Sequence, residues 1–320
     1  MELEYLNKYP NFKTIVRKVV ESSHLQKLKI LKFHKNVDSS YFNKAEDFSI
    51  NFKKYLENER IDLDVPVSAY LKMCADMMIS HLYFYKYNKY PINNQKDAFD
   101  KVYDNKKEMS SYVFGIAISQ FLWPTHYAMH SFFIKKINNI STDVKNYLEI
   151  GCGHGLFLAE AINKFGGKTN YDIIDISKTS IEITQSIINF LIKKKLKINY
   201  FLQDVLNSTF NKKFDFIEMG EVLEHVDKPG ALLKKINEII SDKGQMFIST
   251  CVDCPTIDHV YHFKSVKEIE EMIMSANFTI VDRAILPVED LPMSEIIKKK
   301  ITINYCALLK KNEKKIDRDK

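Results

Sequence analysis

Apolar positions follow two rhythms along this chain. Through the first 140 residues they recur at three- and four-residue intervals, and beyond residue 146 they gather into short runs separated by amphipathic stretches. In the first half, Val67, Tyr70, Leu71, Cys74, Met77 and Met78 mark one face of a helix, which predicts a helix over 67–86. Pro66 suits its first turn. The same reading places helices over 12–33 and 109–122. A break is expected at Pro124, because the residue before a proline avoids helical geometry, and another helix follows over about 124–138. No glycine occurs before Gly115, and the only earlier prolines are Pro10, Pro66 and Pro91. Hairpins and tight turns are hard to build from such a stretch, so it reads as helical.

From Asn146 onward the short runs are YLEI (147–150), YDIID (171–175), INYFL (198–202), FDFIEM (214–219) and QMFIS (245–249). Amphipathic segments at about 156–164, 178–193, 229–241 and 265–276 lie between or after them. Strand–helix alternation of this kind predicts a parallel sheet covered on both faces. Two more strands, near 278–286 and 301–309, have only the loop 287–300 between them, which fits a late hairpin. The expected architecture is an α/β sheet of about seven strands, mostly parallel with the last antiparallel, preceded by an N-terminal α-helical domain. The boundary assigns residues 1–140 to a helical lid or substrate domain and 141–320 to the sheet domain. The charged tail from Lys310 is expected to fray.

Hydrophobic residues at 45% and charged residues at 28% describe an ordinary globular protein with apolar surface enough for a core. The net charge of +6 raises a nucleic-acid partner. However, lysine is spread from end to end, and the basic runs (KKKLK at 193–197, KKK at 298–300) are short and lie beside apolar segments. Solvated helix faces account for them better than a phosphate track does. Five cysteines, odd in number and scattered (74, 152, 251, 254, 306), make no disulfide framework. The opening MELEYLNKYP has no secretory pattern, and the most apolar stretch, Tyr112 to Trp123, is too short to span a bilayer. The expected location is the cytoplasm, with no membrane partner.

The first strand leads into YLEIGCGHGLFLAEA (147–161), where Gly151, Gly153 and Gly155 separate a buried strand from a helix. Such a turn lets backbone and a helix N-terminus approach a ligand closely. The spacing is G-x-G-x-G, with Glu149 two residues ahead, and differs from the dinucleotide spacing G-x-G-x-x-G. Asp175 ends the second strand, where a carboxylate can accept both hydroxyls of a ribose, as in a dehydrogenase. The glycine turn, Asp175, Asp204 in FLQDVLN and EVLEHVDKPGALLKKINEII after the fourth strand together resemble the class I S-adenosylmethionine-dependent methyltransferases over roughly 145–310. The resemblance implies a Rossmann-like sheet and S-adenosyl-L-methionine as cofactor. It implies contacts from Glu149 to the methionine amino group and from Asp204 to the adenine amino group. Ile176, Val205 and Gly220, beside these landmarks, belong to the implied cofactor site.

On the acceptor side, methyl transfer from a sulfonium is an in-line displacement, so the enzyme chiefly aligns the reactants and excludes water. No N-P-P-Y-type segment follows the fourth strand, which argues against methylation of adenine N6 or amides. Glu221, Glu224 and His225 instead form E-x-x-E-H, with His259 beyond the fifth strand. That set resembles the divalent-metal site of small-RNA 2′-O-methyltransferases and ubiquinone O-methyltransferases. A metal is allowed but not favoured, since V-L-E-H also occurs in metal-free relatives. Cys251, Cys254, His259 and His262 make C-x-x-C-x4-H-x-x-H, whose gaps do not match the usual zinc fingers. Core cysteines and pocket histidines are the preferred reading there. His126 and His130 share a helix face with Phe133 and Ile137 and are candidate bases, as are His259 and Glu221. Tyr112, Trp123 and Tyr127 are candidates for an aromatic wall. The expected activity is methylation of a nitrogen or oxygen on a small-molecule acceptor. The alternatives are a metal-assisted RNA 2′-O-methyltransferase, for which no RNA-binding module is recognisable, and a catalytically silent cofactor-binding partner protein.

Overall fold

Helix ends in the first half fall where side chains compete for the backbone. In the computed structural model, which describes residues 3–312, the predicted helix over 12–33 is two, α1 (Pro10–Ser22) and α2 (His24–His34). Between them Ser23 is extended (φ −147°, ψ 110°), and its hydroxyl oxygen accepts from the Gln26 N–H at 3.3 Å. That bond caps a new helix where a continuous one was expected. The next helix, α3 (Ser39–Glu59), has no counterpart among the predicted ones. Asp38 starts it by accepting from the Tyr41 N–H at 3.1 Å, and Tyr41, Ala45, Phe52, Tyr55 and Leu56 form its buried face. Helix α4 (Asp64–Tyr87) is followed by the short α5 (Gln95–Ala98), a π-helical turn at Phe99–Tyr103, α6 (Lys106–Leu122) and α7 (Pro124–Asn138). Trp123, extended ahead of Pro124, separates the last two as predicted. Helix α6 runs close against α4 at Gly115, where a Cβ would meet the Ala69 carbonyl oxygen at 3.1 Å. No described helix is long and apolar enough to cross a membrane.

The second half alternates as read. Strands β1 (Asn146–Ile150), β2 (Asn170–Asp175), β3 (Lys197–Leu202), β4 (Phe214–Gly220), β5 (Ile240–Val252), β6 (Phe278–Pro287) and β7 (Ile303–Lys311) form one sheet in the order β3-β2-β1-β4-β5-β7-β6. The first five are parallel, and β7 is antiparallel to both β5 and β6. Helices α8 (Leu156–Phe165), α9 (Lys178–Leu191), α10 (Pro229–Ile239) and α11 (Val266–Ser275) are the connections. Strand β5 outruns the predicted 245–249 at both ends, with Ile240 paired to Phe214 of β4 and β7 paired from Gln245 to Val252. The connection predicted as a loop over 287–300 holds a short helix, α12 (Met293–Lys298). Lys310 and Lys311 are held in β7 by Gln245 and Phe278, and the rest of the charged tail lies outside the described residues.

Alternation along the strands splits the sheet core in two. Leu148, Ile150, Ile217, Met219 and Ile248 face α10 and α11, meeting Leu232, Leu233, Ile236, Ile269 and Ile273. Tyr147, Phe216 and Phe247 face the other way, against Phe133 of α7, Leu158 and Ile162 of α8 and Ile188 of α9. A third core fills the helical half with Phe12, Tyr41, Phe52, Tyr70 and Phe121, and Ile187 of α9 belongs to it. The carboxyl ends of the parallel strands open onto a cavity of about 1030 Å³ that is roofed by residues of α2, α4 and α6. Open α/β sheets bind their ligands at that end.

Candidate active site

The turn after β1 has left-handed backbone at Gly151 (φ 79°), Gly153 (φ 49°) and Gly155 (φ 67°). A Cβ at Gly151 would stand 2.6 Å from Val222 Cγ2, and one at Gly155 would stand 3.0 Å from Thr184 Cγ2. At Gly153 it would meet nothing within 4 Å. Gly151 and Gly153 line the cavity, whereas Gly155 is the N-cap of α8 and packs against α9. Asp175, at the end of β2, braces the turn: its Oδ2 accepts from the Cys152 N–H at 3.0 Å and the Ser180 hydroxyl at 2.9 Å. Its Oδ1 accepts from the Ser177 N–H at 2.7 Å. Burial pushes its pKa up against these bonds, and carboxylate oxygens have further lone pairs to offer a ligand in the cavity. Ile176 follows on the cavity wall. Asp204 and Val205 line the same wall after β3. Asp204 also caps a short 3₁₀ turn, accepting from the Leu206 N–H at 2.9 Å and from Asn207 Nδ2 at 2.9 Å.

Beneath the turn two acids stand side by side. Glu149 of β1 and Glu218 of β4 are register partners, exposed by only 1% and 2%, and both reach the cavity. The Tyr147 hydroxyl donates to Glu149 Oε2 at 2.7 Å. Burial nevertheless raises the Glu149 pKa to about 8, while burial and the charge of Glu149 raise that of Glu218 well above its ordinary value. Gly220 is also on the cavity wall, and a Cβ there would press on Glu218 Oε1 at 2.9 Å.

The far wall is built from the 3₁₀ turn Leu223–His225 and the coil after β5. The Tyr103 hydroxyl lies 2.7 Å from His225 Nδ1 and donates to Asp258 Oδ2 at 3.1 Å. Its single proton being spent there, Nδ1 of His225 carries the hydrogen, which also points at the Asp258 carbonyl at 3.1 Å. Nε2 of His225 therefore keeps its lone pair. Asp258 is fully buried, and its other oxygen accepts from the Thr256 hydroxyl at 2.8 Å. Burial would raise its pKa, but the neighbouring His225 and His259 and these hydrogen bonds outweigh burial and lower it. Neither Tyr103 nor Asp258 stands out in the sequence; Tyr103 is 122 residues from His225, in a turn with no motif of its own.

His259 packs its ring edge-on to that of His225, with centroids 4.6 Å apart, and its Nδ1 lies 2.6 Å from the Cys254 carbonyl oxygen. Burial opposes its protonation, yet contact with Cys254, reinforced by Glu224 and Asp258, lifts its pKa to about 10. Glu221 lines the cavity with left-handed backbone (φ 52°). Its Oε1 is buried without a hydrogen-bond partner among the described residues. The Glu224 carboxylate points away from the cavity lining, accepting from the Thr250 hydroxyl at 2.7 Å and lying 3.9 Å from Cys251 Sγ. Donor atoms of Glu224, His225 and His259 approach within 4.8 Å of one another, as do those of Glu221, Glu224 and Cys251. The first set carries only oxygen and nitrogen donors, which a divalent cation accepts, whereas the thiol of the second does not suit a hard Mg²⁺ or Mn²⁺ centre.

His126 reaches the cavity and His130 does not. Ser119 donates its hydroxyl to the Ile116 carbonyl at 2.7 Å and so accepts from His126 Nδ1 at 2.8 Å, leaving Nε2 with a lone pair. His130 packs edge-on against Phe157 at 5.2 Å, and its Nε2 is buried without a partner among the described residues. Burial, with His154 nearby, lowers both imidazoles from the ordinary 6.5 to about 3, far below what general-base work near neutral pH requires. Tyr112 and Trp123 line the cavity, whereas Tyr127 packs into Tyr41 and Phe121.

This sheet order, with a glycine turn after β1 and acids after β2 and β3, is the fold of the class I methyltransferases. Residues 126–282 match the family model described as a methyltransferase domain. It is 36% identical over 107 residues to the ubiquinone biosynthesis O-methyltransferase of Coxiella burnetii, covering 33% of this chain and 43% of that protein. The like-named protein of Pelagibacter ubique is 36% identical over 118 residues, covering 36% of this chain and 46% of that protein. The chain thus spans less than half the length of these curated relatives. Among solved structures, the N-methyltransferase NodS of Bradyrhizobium japonicum WM9, in complex with S-adenosyl-L-homocysteine, superposes with a TM-score of 0.50. Identity is 17%, over 66% of this chain and 100% of NodS, and the likeness is one of fold.

Proposed function

We propose that this protein moves a methyl group from S-adenosylmethionine to a nitrogen or oxygen of a small-molecule acceptor. The observation that carries this reading is the Glu149–Glu218 pair, buried in the cavity that the glycine turn borders. Two carboxyls held this far from water call for a cation, and the methionine α-ammonium supplies one. Bound here, the cofactor supplies an electrophilic methyl group on a sulfonium. Gly151 and Gly153 admit it against the backbone, Asp175 accepts from the ribose hydroxyls, and Asp204 with Val205 borders the adenine. His225, oriented through Nδ1 by Tyr103 and Asp258, uses Nε2 to take a proton from an acceptor that still carries one. Residues 1–140 act as the lid that excludes water and completes the acceptor pocket, and residues 141–320 hold the cofactor. Five unpaired cysteines fit a reducing cytoplasm.

Calorimetry tests the reading. S-adenosylmethionine and S-adenosylhomocysteine should bind and NAD should not. Asp175→Ala should weaken binding by about 1.5–3 kcal/mol, roughly tenfold to a hundredfold in Kd. Unchanged affinity in that variant would show that the ribose is elsewhere, and NAD binding would overturn the cofactor assignment.

A further inference from the structure

The coil from Asp253 to Ser265, between β5 and α11, is unusual for its length and burial. Cys254, Thr256, Asp258, His259 and Phe263 within it are all at most 7% exposed, although it contains neither helix nor strand. Buried irregular backbone needs something to hold it. Part of the answer is Asp253, whose N–H donates to the Phe263 carbonyl at 3.1 Å and whose carboxylate lies 2.6 Å from His262 Nε2. That pairing takes His262 out of the C-x-x-C-x4-H-x-x-H string. The other three members converge: donor atoms of Cys251, Cys254 and His259 lie within 4.8 Å of one another, all three residues being buried.

We propose that these three residues, with Glu224, bind one zinc ion that pins this coil to the ends of β4 and β5. Glu224 is suited to be the fourth ligand, with Oε1 3.9 Å from Cys251 Sγ and a donor atom within 4.8 Å of His259. Ligand support is in place as well. Thr250 holds the other oxygen of Glu224 at 2.7 Å. Nδ1 of His259 lies 2.6 Å from the Cys254 carbonyl oxygen and 3.8 Å from Cys251 Sγ, which holds the ring beside both cysteines. Metal-bound histidines and carboxylates are commonly oriented in this way. Two sulfurs, one nitrogen and one oxygen select a borderline-soft tetrahedral ion over Mg²⁺, and four protein ligands close the shell, as in a structural site. The cavity, which Cys254 and His259 border, gives the ion its way in. Binding displaces to solvent the protons that the two thiols and the His259 ring hold at the ligand atoms. The ion's task would be positional, since Asp258 immediately precedes His259 and meets His225. This inference does not depend on the methyl-transfer reading.

The test uses the full chain, stripped with a strong chelator under reducing conditions and titrated with Zn²⁺ against a chromophoric competitor, then with Co²⁺. One Zn²⁺ per chain is expected, with a thiolate-to-cobalt charge-transfer band in the Co²⁺ form. Cys251→Ser and Cys254→Ser should each weaken Zn²⁺ at least about a hundredfold, since loss of a supporting residue alone costs 10–100-fold. Iodoacetamide labelling with peptide mass spectrometry covers the case in which the variants do not fold. Zn²⁺ should protect Cys251 and Cys254 of the unmodified protein and leave the half-buried Cys74 reactive. Stoichiometry no higher than in the double serine variant, a cobalt complex lacking the sulfur band, or labelling indifferent to Zn²⁺ would each overturn the proposal.

Discussion

If the Glu149–Glu218 pair receives the methionine ammonium, binding must expel a proton. Burial raises the Glu149 carboxyl from 4.5 to about 8, on the order of 5 kcal/mol against its charged form. The sign is that of a buried acid: folding disfavours ionisation, so the empty protein loses stability as pH climbs from 4.5 through 8 and levels off above. The Glu149 carboxyl is therefore mostly protonated at pH 7 and mostly ionised at pH 9. An ammonium docked beside the carboxylate reverses the preference and drives the proton off. The ligand's own amino group, with a pKa of about 8, takes up some proton as pH rises, so the comparison must be between two proteins. S-adenosylhomocysteine would be titrated into the unmodified chain and into Glu149→Gln, in buffers of different ionisation enthalpy. The slope of heat against buffer enthalpy counts protons. The unmodified chain should release more proton than the variant at pH 7, and the difference should shrink as pH rises to 9. Equal slopes at pH 7, with tight binding retained, would refute the pairing.

Four further outcomes follow from the geometry. Gly151→Ala, with φ at 79° and its Cβ 2.6 Å from Val222 Cγ2, should lower both the melting temperature and cofactor affinity. Gly153→Ala, whose Cβ meets nothing within 4 Å, should chiefly lower affinity, and normal calorimetric binding there would place the ligand away from the turn. For an acceptor that keeps its proton, His225→Gln should cut kcat by about 10²–10⁴-fold. Asp258→Asn, a positioning change, should lower kcat by at least roughly tenfold with cofactor KM unchanged, and a loss confined to KM would contradict that role.

The features legible in the sequence are those with local causes. Gly151, Gly153 and Gly155 announce a turn because their backbone is left-handed, Pro124 breaks a helix through its own ring, and the parallel strands show as short, largely apolar runs. Helix α3 escaped because its apolar positions are diluted by charged neighbours and its start depends on a single side-chain bond from Asp38. Helix α2 separates from α1 for the same kind of reason, at Ser23. The acceptor wall was legible only in part. Glu221, Glu224, His225 and His259 sit in strings with recognisable spacing, but Tyr103 and Asp258 earn their positions from tertiary contacts alone. Solvation is hidden in the same way: no periodicity reveals that His126 loses its water and with it most of its basicity.

Helix α9 has two greedy faces. Ile187 is buried among the side chains of the helical half, and its neighbour Ile188 is buried against the sheet. One turn earlier, Thr184 donates its hydroxyl to the Gly153 carbonyl at 2.8 Å and lies against Gly155. A single rod thus works as a rivet through both halves, with its shank beside the turn that would meet the ligand. Loosening either half unseats the rivet, so heat should find one cooperative calorimetric transition where two modules on a linker would give two. Evolution could exchange the roof of the cavity only by recutting α9 as well, which makes the helical half a fixed fitting of this sheet.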